Sequence, residues 1–117
     1  MSSIVRLQRN RRFSRAVVHQ GVAYFSGLTA DDRAGDIASQ TAQTLAKADE
    51  LLMELKADRS SLLSATIWLR DMADFAGMNA VWESWIDPDH PPARATVESL
   101  MAVPDVRVEI QFVAAVS

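Results

Sequence analysis

Cysteine is absent from the chain, which removes disulfides, thiolate metal ligands and thiol nucleophiles together. Histidine is almost absent: His19 and His90 are the only two, and without cysteine beside them they do not make the ligand set of a structural metal site, so no metal is expected. Each reads as a surface or edge residue. No apolar run approaches the roughly 18 residues that a membrane span requires. The N-terminus is arginine-rich where a signal peptide is apolar, so a cytoplasmic protein that does not enter the membrane is expected. The G-x-S-x-G elbow of a hydrolase, the P-loop and the dinucleotide fingerprint are all missing, and no cofactor is implied. Acids are missing locally, too. None precedes Asp31, whereas Arg6, Arg9, Arg11, Arg12 and Arg15 crowd the first stretch. Those cations suit a solvated edge strand protected against edge-to-edge pairing, or a patch that attracts anions.

What is present describes an ordinary globular chain. Its 117 residues are 49% hydrophobic and 23% charged, enough for one core and one domain over residues 1–117. A net charge of -3 argues against a dedicated nucleic-acid binder, so no nucleic-acid partner is expected.

The hydropathy pattern alternates between periods. Ile4 to Arg9 reads as a short or edge strand. Ala16 to His19 and Val22 to Ser26 form a hairpin about Gln20-Gly21, where glycine supplies a positive φ. From Asp36, a plausible N-cap, to Lys56 the apolar stripe Ile37, Thr41, Leu45, Ala48, Leu52 and Leu55 marks an amphipathic helix. Ala38, Ala42 and Ala46 suit close packing on a sheet, and Gln40, Gln43, Lys47, Glu50 and Glu54 mark the wet side. Leu63, Ala65, Ile67 and Leu69 alternate with Ser64, Thr66, Trp68 and Arg70, a central strand. A second helix begins near Asp71 or Asp74 and presents Phe75, Met78, Trp82 and Trp85. Asn79 lies in that apolar stripe and needs a partner, because an unpaired buried amide costs about 1–3 kcal/mol. Three prolines between Asp87 and Pro92 enforce an extended connection to a strand from Arg94 to Leu100. In the last strand Val106, Val108, Ile110, Phe112, Ala114 and Val116 take one face and Arg107, Glu109 and Gln111 the other. The order βββαβαββ implies an α/β sandwich with two helices on one face of a mixed or largely antiparallel sheet. Trp68, Val113 and Ala115 leave the other face partly apolar, so association through it is expected.

Chemistry gathers in few residues. Arg94 offers a planar fork matched to a carboxylate, and Glu109 follows it by fifteen residues. Spacing alone leaves two readings open. The pair could face a common site, one group holding an anion and the other a water. Alternatively, Arg94 could pair with a nearby acid such as Glu98 and Glu109 with a base on a neighbouring strand.

Pro92-Ala93-Arg94-Ala95-Thr96-Val97 followed by Val106-Arg107-Val108-Glu109-Ile110 resembles the C-terminal signature of the RidA/YjgF family. Phe25-Ser26-Gly27, Ala65-Thr66-Ile67-Trp68-Leu69 and Asp74-Phe75-Ala76-Gly77-Met78-Asn79 extend the likeness over nearly the whole chain. Ile4-Val5-Arg6, Val18-His19 and the ending Val113-Ala114-Ala115-Val116 look most like the YoaB-like subgroup. The resemblance implies a chorismate-mutase-like fold and a homotrimer whose sheets form a central barrel, with a ligand cleft at each subunit seam. It also implies hydrolytic deamination of reactive 2-imino or enamine acids to 2-keto acids and ammonia, a small carboxylate being the partner. On that pattern Arg94 binds the substrate carboxylate, Glu109 holds the attacking water, and Ser26, Gly27 and Asn79 line the cleft. Two positions depart from the archetype: Phe13 stands where it has a tyrosine, and Thr96 where it has a cysteine. A non-catalytic carboxylate binder on the same scaffold, and RNA cleavage or chaperone-like binding, are the other activities the resemblance admits.

Overall fold

A computed structural model describes residues 3–117. Strands β1 (Val5–Leu7), β2 (Ala16–His19) and β3 (Val22–Phe25) precede helix α1 (Ile37–Glu54) and strand β4 (Leu62–Leu69). Helix α2 (Phe75–Trp85), strand β5 (Ala93–Glu98) and strand β6 (Val108–Ala115) complete the chain. The six strands form one sheet in the order β1-β2-β3-β6-β4-β5. Only β4 and β5 run parallel, because α2 carries the chain back between them; the other pairings are antiparallel. The sheet is therefore mixed, with both helices on one face. Among the described residues no helix is long and apolar enough to cross a membrane.

Local chemistry accounts for most of the element boundaries. Gln20 and Gly21 both take positive φ (51° and 78°), as a two-residue hairpin turn requires, so glutamine shares the conformation expected of glycine alone. Asp36 caps α1 by accepting from Ser39 N at 2.9 Å. Lys56 takes a positive φ of 57° just beyond the helix end. Asp71 accepts from Ala73 N at the head of a 3-10 turn, whereas Asp74 makes no cap and lies 3.3 Å from Arg107 Nε.

Three assignments of face change. Gln40 is fully buried, not on the wet side of α1. Its amide donates to the carbonyls of Arg33, Gly35 and Asp105 and its oxygen accepts from Arg107 N, so one side chain ties α1 to two loops. Ala38, Ala42 and Ala46 are exposed, and Gln40, Thr44 and Leu51 take that flank of the buried stripe. In β4 the register shifts between Leu62 and Ser64, so Leu62 is buried and Leu63 is 49% exposed. A bulge of this kind breaks simple alternation.

The core lies between the helices and the inner sheet face. Phe112 stacks on Trp82 with ring centroids 5.9 Å apart and meets Trp85 and the edge of Phe25. Val108, Ile110, Phe112 and Ala114 are all fully buried, which realises the expected inner face of β6. Among the described residues none covers the other face, where Tyr24 is 51% and Val97 44% exposed beside Val113 and Trp68.

Candidate functional site

Arg94 and Glu109 belong to opposite faces of the sheet. Arg94 pairs with Ala65 and Glu109 with Trp68, and these β4 partners are three residues apart, an odd separation that reverses the face. With β4 lying between their strands, ordinary strand spacing separates their Cα atoms by about 14 Å. Within one chain the candidate residues therefore fall into two halves that do not face each other.

The Arg94 half lies on the helix side of the edge strand β5. Arg94 Nη1 donates to Asn79 Oδ1 at 2.7 Å, which supplies the partner that Asn79 requires. The guanidinium sits 5.3 Å from the Trp82 ring centroid and 5.9 Å from that of Phe75. Among the described residues Arg94 forms no salt bridge; Glu98, the expected surface partner, instead accepts from Met72 N at 2.8 Å. Thr96 follows on the same face, and its hydroxyl is buried without a hydrogen-bond partner. The guanidinium is thus held by aromatic walls and one amide, its other N–H groups are left to a ligand's reach, and among the described residues no acid pairs with its charge. Phe75, expected on the apolar stripe of the second helix, is 39% exposed and joins this group instead. Its spacing of four from Asn79 was the available signal.

The Glu109 half lies on the uncovered face. Leu28 and Ile110 exchange backbone bonds of 2.8 and 3.0 Å, which clamps the end of β3 against β6 and presses Gly27 onto the Glu109 side chain. A methyl group at Gly27 would overlap the carboxylate and lie 2.9 Å from Glu109 Cδ, so only glycine fits with the acid in this position. Ser26 N donates to Arg15 O at 2.8 Å, while its hydroxyl is buried and unpartnered. Phe13 is held by a turn in which Asn10 Oδ1 accepts from the Arg12 and Phe13 N–H groups. Phe13, Gly27 and Glu109 line one cleft of about 410 Å³, a volume at the small end for small-molecule sites. Burial raises the Glu109 carboxyl above its ordinary value, making it a stronger base than a surface glutamate.

The sequence-derived residues thus fall into two groups: Phe13, Ser26, Gly27 and Glu109 in one, and Asn79, Arg94 and Thr96 in the other. Gly27→Ala displaces the Glu109 carboxylate and is expected to lower any Glu109-dependent turnover about tenfold or more, with little change in secondary structure. Steady-state rates beside circular dichroism check this; an unimpaired variant would show that the carboxylate's position is unimportant.

The family model described as endoribonuclease L-PSP matches residues 3–116. A RutC family protein of Haemophilus ducreyi is 38% identical over 114 residues, covering 97% of each chain. The RutC family protein YoaB of Escherichia coli K12 is 40% identical over 114 residues, covering 97% of this chain and 99% of its own. A crystal structure of a YjgF family member from Neisseria meningitidis superposes with a TM-score of 0.94 at 40% identity, covering 98% of this chain and 96% of that one.

Proposed function

The chain belongs to the RidA/YjgF family, with YoaB-like relatives, and from that premise we propose that it hydrolyses reactive 2-imino acids to 2-keto acids and ammonia. The observation that supports this reading is a guanidinium without a salt bridge among the described residues, at Arg94, and a half-buried carboxyl raised by burial, at Glu109, on opposite faces of one sheet. Packing the β5 edge of one copy against the Glu109 cleft of a neighbour closes the site. The exposed apolar strip around Tyr24 and Val97 supports such packing, and a homotrimer with its sheets turned inward and a site at each seam is the assembly proposed.

In the closed site the free N–H groups of Arg94 grip the substrate carboxylate while Asn79 holds the guanidinium in place. Glu109 accepts a proton from water as the water oxygen bonds to the imine carbon and the C=N pair moves to nitrogen, to which Glu109 then passes that proton. Glu109 then carries the carbinolamine's hydroxyl proton to the amine nitrogen, the C–N bond breaks, and ammonia leaves as the carbonyl forms. Net, one water is consumed and one ammonia released. The imine carbon is already electrophilic, so orientation, a placed water and a base suffice.

The test is ammonia release from 2-iminopropanoate generated in situ by an amino-acid oxidase. Protein is expected to accelerate it; equal rates with and without protein reject the reading. Saturable keto-acid binding without turnover identifies a carboxylate binder instead.

A further inference from the structure

The Glu109 cleft has a second end that the proposed reaction leaves unused. Arg15, Arg33 and Lys47 line the same cleft with Asp31, so three cations and two acids, Asp31 and Glu109, share it in a chain whose net charge is -3. Lys47 is taken by Asp31 at 2.7 Å. Among the described residues Arg15 and Arg33 form no salt bridge. Arg15 is the better placed of the two. Its own N–H donates to Leu7 O at 3.0 Å and its carbonyl accepts from Ser26 N at 2.8 Å, so its backbone is anchored between β1 and the site serine. Its guanidinium lies 5.5 Å from the Phe13 ring centroid, against the aromatic wall of the cleft. Electrostatics separates the two ends: Lys47, with smaller contributions from Arg15 and Arg33, lowers the Asp31 carboxyl, whereas burial alone raises Glu109.

We infer that Arg15, backed by Arg33 and Lys47, forms a subsite for a second acidic group, so that the cleft takes 2-imino and 2-keto diacids in preference to monoacids. The inference rests on the proposed reaction for the first carboxylate, which Arg94 of a neighbouring copy holds. The second lies at Arg15, and the reacting carbon lies between them beside Glu109. A guanidinium fork facing a carboxylate in a cleft walled by Phe13 gives a charge-assisted contact that a monoacid cannot make.

Calorimetric titration of the full chain with 2-oxoglutarate and with 2-oxobutanoate tests this, in the parent, Arg15→Gln and Arg94→Ala. Glutamine removes the charge but leaves both backbone bonds of residue 15 in place. The parent is expected to bind 2-oxoglutarate about tenfold more tightly, and Arg15→Gln to bind the two acids alike with 2-oxobutanoate affinity unchanged. Equal affinities in the parent, or a preference that survives Arg15→Gln, overturn the subsite. If 2-oxobutanoate still binds through Arg94 in that case, the imino-acid reading stands. Diacid binding that requires Arg15 but not Arg94 has the opposite meaning: the subsite holds and the imino-acid reading fails. Binding of neither acid overturns both.

Discussion

Arg94→Ala is expected to lower kcat/KM for 2-iminopropanoate about a thousandfold and to leave the folded chain intact. Charge-assisted hydrogen bonds contribute about 1.5–3 kcal/mol each, and a forked contact to a carboxylate makes two of them, which places the loss between about a hundredfold and ten thousandfold. Stability should fall by no more than about 1–3 kcal/mol, because Arg94 forms no salt bridge among the described residues but its loss leaves the Asn79 amide oxygen without its partner. Arg94→Lys is the sharper control. Lysine keeps the charge but loses the fork and the planar contact with Trp82, so it should recover only part of the activity. If the lysine variant matches the parent, Arg94 acts as a point charge and the bidentate geometry is wrong.

Glu109→Gln should reduce turnover at least about a hundredfold, the contribution of a positioned general base, while keto-acid affinity stays close to that of the parent. Parent kcat/KM should rise with pH as Glu109 deprotonates, with a midpoint above 4.5, and the glutamine variant should lack that limb. Stability follows the same shift with a definite sign. The folded-state carboxyl is raised, so its contribution is complete below the unfolded pKa and is lost as pH rises through the folded one. Glu109→Gln is therefore expected to melt at a higher temperature than the parent at pH 7, an advantage that shrinks as Glu109 becomes protonated in acid. Lower stability at pH 7 would mean that the ionised carboxylate is held by partners and not merely buried.

Together the two variants probe the shared site. Each alone lacks one half everywhere. If they are refolded as a mixture, about a quarter of the seams in a symmetric assembly receive an intact Arg94 from one copy and an intact Glu109 from the other. Activity should return to that fraction of the parent's. No recovery in demonstrably mixed oligomers would remove the site between copies.

Sequence periodicity was informative wherever one strand or helix carried the signal alone. The inner face of β6 could be read because every second residue from Val108 to Ala114 is apolar, and the start of α1 because Asp36 stands three residues before Ser39, whose N–H it accepts. The need of Asn79 for a partner was likewise visible in its helical stripe. Its partner Arg94 was not, since the two meet only after α2 returns the chain to lay β5 beside β4. The burial of Gln40 escaped for a similar reason: the groups it satisfies come from loops far apart in the chain. Leu63 was assigned to the wrong face because a bulge is a property of two paired strands.

The order of elements, the inner and outer residues of most strands, and the residue types available for chemistry all follow from the amino-acid pattern. Tertiary structure alone decided that Arg94 and Glu109 stand on opposite faces, through the pairing of Arg94 with Ala65 and Glu109 with Trp68. The physical reason is that alternation fixes a side chain's direction only relative to its own strand. Whether residues on two strands share a face depends on register, which is set by packing the whole sheet against its helices.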